Sequence, residues 1–182
     1  MSTPRTFFIL VAAAIVLLMG AMPVAATSGA ASASPTARHL NMLDDCDPAS
    51  FNAAIGPGTC TRTDPGTPFG DFIGQLLATG QAPAWRFAPT ALKLPAGASI
   101  VAFNKGGEDH TFTEVAHFGG GCVQVLNEVL GLSPVPECGN PALFPGTLVE
   151  QGASLQTAPL APGVHLFECL IHPWMRTTVK VG

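Results

Sequence analysis

From Trp85 onward, apolar and polar residues alternate along short stretches separated by turns. Trp85-Arg86-Phe87, Leu92-Lys93-Leu94 and Ser99-Ile100-Val101-Ala102-Phe103 each fit a half-buried strand, with Pro95-Ala96-Gly97 and Asn104-Lys105-Gly106-Gly107 as turns. Leu148 to Leu155, Val164 to Cys169 and Thr177 to Val181 supply further candidate strands, and Pro159 to Gly163 another turn. Strands this short and this closely spaced predict an all-β antiparallel sandwich rather than a βαβ fold. By alternation Phe167 and Cys169 share the inward face, while Leu166 and Glu168 point the other way.

Upstream the pattern changes. From Leu40 to Gly80 the chain reads as compact but not β-like. Asp47 and Pro48 offer an N-cap and first helical residue, with Gly56 as a stop. Thr67-Pro68 repeats the start signal. Phe69, Phe72, Ile73, Leu76 and Leu77 then recur at helical spacing until Gly80, predicting a helix that lays one apolar face on the sandwich. A Gly- and Pro-rich segment from Phe118 to Gly146 interrupts the strands and contains a possible helix at Val123 to Leu130. A loop of that length inside a compact domain needs a function or a tie.

The N-terminus carries Arg5, an uncharged apolar run from Phe7 to Leu18, and small residues at Val24-Ala25-Ala26. That is the pattern of a secretory signal peptide over residues 1–26. The stretch from Thr6 to Ala26 is also just long enough to span a bilayer, so an uncleaved anchor is the one membrane attachment expected. Residues 27 to about 38 are Ala, Ser, Thr and Gly and predict a flexible leader. The expected organisation is a signal peptide (1–26), a flexible leader with a small helical extension (27–80), and a β-domain (81–182).

Composition sharpens this reading. With 20 Gly, 17 Pro and no Tyr, the chain suits short strands and turns better than a helical bundle. Charged residues are only 11% and the formal net charge is −4, which becomes −5 once Arg5 is removed with the signal. No basic stripe is present, which excludes a typical nucleic-acid binder. Export makes disulfides chemically permissible. The five cysteines are Cys46, Cys60, Cys122, Cys138 and Cys169, an odd number that suggests two pairs and one thiol. Of the three ways to pair the first four, the local one (Cys46 with Cys60, Cys122 with Cys138) is preferred. It would staple the first helix and tie the long loop. Cys169 then needs a reason to stay reduced, and metal ligation is such a reason.

The stretch Phe167-Glu168-Cys169-Leu170-Ile171-His172-Pro173-Trp174-Met175 places a thiol, an imidazole and a thioether on one tight loop between two strands. Soft sulfur with imidazole suits copper, and two His, one Cys and a weak axial Met make a blue-copper set. His110, at the end of an earlier strand, is the candidate for the second His. Cys169, His172 or Met175 taken singly would be ordinary core or loop residues. Their order, together with His110, favours the metal. His117 and His165 have simpler roles as exposed or hydrogen-bonded residues, and His39 is assigned none. Glu108 and Asp109 are either hydrogen-bonding supports for His110 or a solvated acidic turn. Pro173 and Trp174 are expected to form an apolar patch over His172.

The chain from about Trp85 to Val181 resembles the cupredoxin family, the plastocyanin, azurin and amicyanin group. The resemblance rests on Phe87-Ala88-Pro89 through Leu94-Pro95-Ala96-Gly97 to Val101-Ala102-Phe103-Asn104-Lys105, on His110, and on the Cys-x-x-His-Pro-x-Met loop, whose spacing is similar to that of amicyanin. It implies a cupredoxin-like Greek-key β-sandwich and one type 1 copper ion, with His110, Cys169 and His172 equatorial and Met175 axial. It further implies a one-electron carrier serving separate redox partner proteins in the periplasm or outside the cell, with electrons leaving at the His172 edge. The N-terminal extension and the Cys122–Cys138 segment depart from the small carriers. Copper oxidases of related fold carry His-x-His pairs, which this chain lacks, so an enzyme is not expected. Copper storage or delivery, and a structural module that keeps the fold, are the alternatives.

Overall fold

The computed structural model of the protein describes residues 36–182. The signal-peptide expectation and most of the expected leader lie outside the described residues. Among the described residues, no helix is long and apolar enough to cross a membrane.

Two four-stranded sheets form a β-sandwich around a shared core. The first sheet has the order β2-β1-β4-β8, made of β1 (Arg38–Leu43), β2 (Arg86–Ala88), β4 (Ile100–Asn104) and β8 (Ser154–Gln156). The second has the order β3-β10-β9-β6, made of β3 (Ala91–Leu94), β6 (Thr113–Val115), β9 (Gly163–Glu168) and β10 (Arg176–Val181). A two-stranded pair, β5 (His110–Thr111) with β7 (Leu148–Val149), sits His110 opposite Val149. The stretch expected as one strand, Leu148 to Leu155, is therefore two strands in different sheets. The chain turns between them at Gly152, whose φ of +75° suits glycine.

Strand β1 corrects the sequence reading. It lies inside the first sheet, antiparallel to β2 and parallel to β4, with Leu40 opposite Ala102 and Met42 opposite Asn104. Leu40 and Met42 are fully buried, while His39 is exposed. The sandwich thus begins at Arg38, upstream of the boundary expected at residue 81. Period-two alternation was present in His39-Leu40-Asn41-Met42, but only two apolar residues carried it, beside an Ala- and Ser-rich leader. Pairing with β4 supplied what local pattern lacked. Inward residues of both sheets meet at Phe112, whose ring stacks on Phe167 at 4.4 Å between centroids and lies 5.4 Å from Phe87.

Helices α1 (Pro48–Ala54) and α2 (Phe69–Thr79) form as expected at Asp47-Pro48 and after Pro68. The Asp47 carboxylate accepts from Ser50 N at 2.9 Å, and the Ser50 hydroxyl in turn accepts from Phe69 N at 3.0 Å, so one residue links both helix starts. Cys46 is bonded to Cys60, closing the segment around α1. Phe51 and Phe72 pack on Trp85, with centroids 5.7 and 4.6 Å away, which fastens both helices to the sandwich.

The segment after Phe118 forms α3 (Gln124–Leu130) and α4 (Leu143–Thr147), and Cys122 is bonded to Cys138. It builds a second small core from Val115, Val135 and Leu170, joined by Phe118 and Leu166, on the outer face of β6 and β9. That cover explains Glu168. It points away from the main core, as alternation predicts, yet it is fully buried. Its carboxylate accepts from Arg176 Nε at 3.0 Å and Gly119 N at 3.1 Å. Burial pushes its pKa up to about 7, partly opposed by Arg176 and Gly119.

Because Leu40 lies wholly within the core, Leu40→Ala is expected to cost about 2–5 kcal/mol in urea unfolding. A loss of a few tenths would place β1 outside the cooperative core.

Candidate metal centre

Three expected ligands converge at one end of the sandwich. His110 comes from β5, Cys169 directly follows β9, and His172 lies in the turn leading to β10. The Cys169 Sγ is 3.9 Å from Nδ1 of His110 and 3.9 Å from Nδ1 of His172, and the two Nδ1 atoms are 3.2 Å apart. Three donors surrounding one ion at ordinary metal distances, about 2.0–2.1 Å to nitrogen and about 2.3 Å to sulfur, are separated by amounts of this size. The donor set therefore fits a single first-row metal ion, and its softness fits copper. Cys169 is the free cysteine, since the other four are paired, and it is fully buried.

The ligand loop is closed on itself. Cys169 N donates to Met175 O at 3.1 Å, and Met175 N donates to His172 O at 2.9 Å. Met175 is thus the residue that ends the loop, and it is fully buried. The Cys169 sulfur accepts the backbone N–H groups of Thr111, at 3.4 Å, and His172, at 3.5 Å, which suits a thiolate. Leu170 N donates to the Thr111 hydroxyl at 2.7 Å, locking the loop to the strand that carries His110. The inserted segment grips the loop from outside, with Cys122 N donating to Leu170 O at 2.6 Å. Gly121 makes this approach possible, because a Cβ there would stand 2.2 Å from Leu170 O.

Two carboxylates stand behind the imidazoles. His110 Nε2 donates to Asp44 Oδ2 at 2.9 Å, both side chains being fully buried. That bond fixes the ring so that Nδ1 faces Cys169. The Glu108 carboxylate accepts from Trp85 Nε1 and lies 3.7 Å from His172 Nε2. Asn104 ties the surrounding turn together, donating to Glu108 O at 2.8 Å and Val149 O at 2.9 Å. Glu108 is therefore a buried support, not part of a solvated turn. Asp44 was invisible to sequence reasoning, since it sits 66 residues from His110 in a stretch read as extension.

Electrostatics follow from these contacts. Burial alone would raise the Cys169 pKa, but the two facing imidazoles outweigh it and hold the thiol well below its usual range. For His110 burial opposes charge, yet Asp44 and the Cys169 thiolate push it up to about 9. Burial raises Glu108, offset in part by His172 and Trp85. An ion entering this triangle takes the place of protons, so metal uptake should release them.

The His172 edge is covered, with Trp174 lying against it as the sequence led us to expect. Its ring is 5.4 Å from Trp174 and 6.4 Å from Phe72 of α2, and the residue is 3% exposed. Trp174 also packs on Phe72 and donates Nε1 to Ala82 O at 3.2 Å, which holds it in place over the imidazole. What remains beside His172 is an apolar groove of about 450 Å³ between the helices, lined by Phe69, Ile73, Leu126, Val129 and Ile171. Among the other histidines, His165 is held by Glu114 at 2.6 Å and Ala161 O at 2.8 Å, and His117 and His39 are exposed. None of the three joins the cluster.

No protein-family model matches the chain, and comparison with curated proteins finds no match. Among solved structures the chain is similar to a purple cupredoxin from Nitrosopumilus maritimus, with 15% identity and a TM-score of 0.42 over 80% of this chain and 99% of that one. It is also similar to a reduced mutant of amicyanin, with 17% identity and a TM-score of 0.35 over 53% and 73%. A copper-containing nitrite reductase from Thermus scotoductus matches with 17% identity and a TM-score of 0.34 over 53% of this chain but only 20% of that enzyme.

Gly121→Ala should destabilise the protein by about 1–3 kcal/mol, because the backbone at Leu170 must shift to admit the methyl group. Gly74→Ala, in the exposed middle of α2 with open space around it, should instead be neutral or stabilising by up to about 1 kcal/mol. Urea unfolding of both variants checks the contrast.

Proposed function

We propose that this protein is an exported mononuclear blue-copper carrier that passes single electrons between separate redox proteins. His110, Cys169 and His172 would hold the ion and Met175 would serve as the weak axial ligand. The observation that carries the reading is the buried triangle of two imidazole nitrogens and one thiol, 3.2 to 3.9 Å on a side, in a chain whose remaining cysteines are all in disulfides. Copper bound there would cycle between cupric and cuprous states.

The chain's own residues would do the rest. The Thr111 and His172 N–H groups steady the thiolate, and Asp44 orients His110. Packing of Phe72 and Trp174 keeps water from the imidazole of His172. A site so enclosed favours electron exchange over substrate activation, which needs an open coordination position. The reading is therefore a carrier and not an enzyme. Two disulfides support folding in an oxidising compartment, the periplasm or outside the cell, after removal of residues 1–26.

Adding cupric ion to the protein should produce an intense visible thiolate-to-copper band that Cys169→Ala abolishes. Cupric protein with copper bound and no such band would reject the reading. Rapid, reversible surrender of copper to a mild chelator would favour storage or delivery instead.

A further inference from the structure

The carboxylate behind His110 is bonded more fully than orienting a ring requires. Asp44 Oδ1 accepts from Gly107 N at 2.9 Å and from Cys46 N at 3.3 Å. Asp44 Oδ2 accepts from Glu108 N at 3.1 Å and from His110 Nε2 at 2.9 Å. Four N–H groups thus fill both oxygens, which leaves no position for a proton on the carboxyl. The side chain is fully buried, so water does not screen the charge.

The surroundings are shaped to keep this anion in place. A Cβ on Gly106 would overlap Asp44 Oδ2 at 1.8 Å, and one on Gly107 would stand 2.7 Å from the Cys46 sulfur. The Gly106-Gly107 turn can therefore close over Asp44 only with glycine at both positions. The Cys46–Cys60 bond and the pairing of β1 with β4 hold the other side. On the opposite imidazole, Glu108 Oε2 stands 3.7 Å from His172 Nε2. Each candidate copper histidine is therefore backed by a buried carboxylate.

Resting on the blue-copper reading, we infer that Asp44 and Glu108 bias the bound copper toward its cupric state and so give this centre a low reduction potential. The cupric ion carries one more positive charge than the cuprous ion. A fixed anion one imidazole away therefore stabilises the oxidised form more, and a buried position makes the difference large. Gaining an electron beside two carboxylates and a thiolate adds negative charge to a place with no water to solvate it. Asp44 supplies the larger share because it bonds directly to its imidazole. The centre would then act toward its partners as a ready electron donor.

The test compares reduction potentials of copper-loaded protein by spectroelectrochemistry, read on the visible band. Asp44→Asn removes the charge and keeps an acceptor for His110. It should shift the ratio of cuprous to cupric affinity at least tenfold toward cuprous, an upward move of about 59 mV or more. Glu108→Gln, which keeps an acceptor for Trp85, should move the potential the same way by less. Potentials unmoved or lowered in variants that keep the band would overturn the inference. Should Asp44→Asn lose its band, the Glu108→Gln potential decides alone, upward in support and unmoved or downward against. A wild-type protein without the band is a separate outcome that defeats the blue-copper reading itself.

Discussion

The hydrogen bond from His110 Nε2 to the buried carboxylate of Asp44 is the constraint around which this structure is organised. It commits one ring nitrogen to a fixed anion and turns the other toward Cys169. Without it, the imidazole of His110 would be free to reorient, and the triangle of donors would lose a corner. Keeping that bond requires a strand, β1, that brings Asp44 to the end of the first sheet. It also requires two glycines that close over the carboxylate and a disulfide two residues further on. The chain upstream of residue 81 is thereby part of the site's architecture.

The other two donors are constrained differently. Cys169 and His172 share a short loop whose shape is set by its own main-chain bonds, and Met175 closes it. Such a loop is stiff but could still rock as a unit. Contacts from outside oppose that motion. The Cys122–Cys138 segment holds Leu170 through Cys122 N, and Glu168 holds Arg176 and Gly119 on the same face. From the other side α2 sets Phe72 against His172. The two segments that depart from a minimal sandwich thus do the same job, clamping the donor loop from opposite directions and leaving a narrow apolar groove between them.

How much of this was legible follows from what each feature depends on. The Cys169-to-Met175 spacing is local, so the tight loop between two strands could be read directly. His110 stood out because few histidines are present and one sits at a strand end. The helices at 48–54 and 69–79 announced themselves through caps and period. Strand β1 did not, because its alternation involves only Leu40 and Met42 and its identity as a strand comes from pairing with residues about 60 positions away. Asp44 was hidden for the same reason, as nothing in Leu43-Asp44-Asp45 distinguishes a buried carboxylate from a solvated one. Glu168 shows the converse, since alternation gave its direction correctly but could not say that protein, not water, waits on that side.

Copper K-edge X-ray absorption on the singly loaded protein addresses the central claim most directly, because it reads the donors around the ion without assuming any colour or potential. The account predicts one short copper–sulfur distance and two copper–imidazole distances, with the short sulfur lost when Cys169 is replaced by Ser. An ion surrounded only by oxygen and nitrogen donors, with no short sulfur, would contradict the convergence of His110, Cys169 and His172 on a single metal.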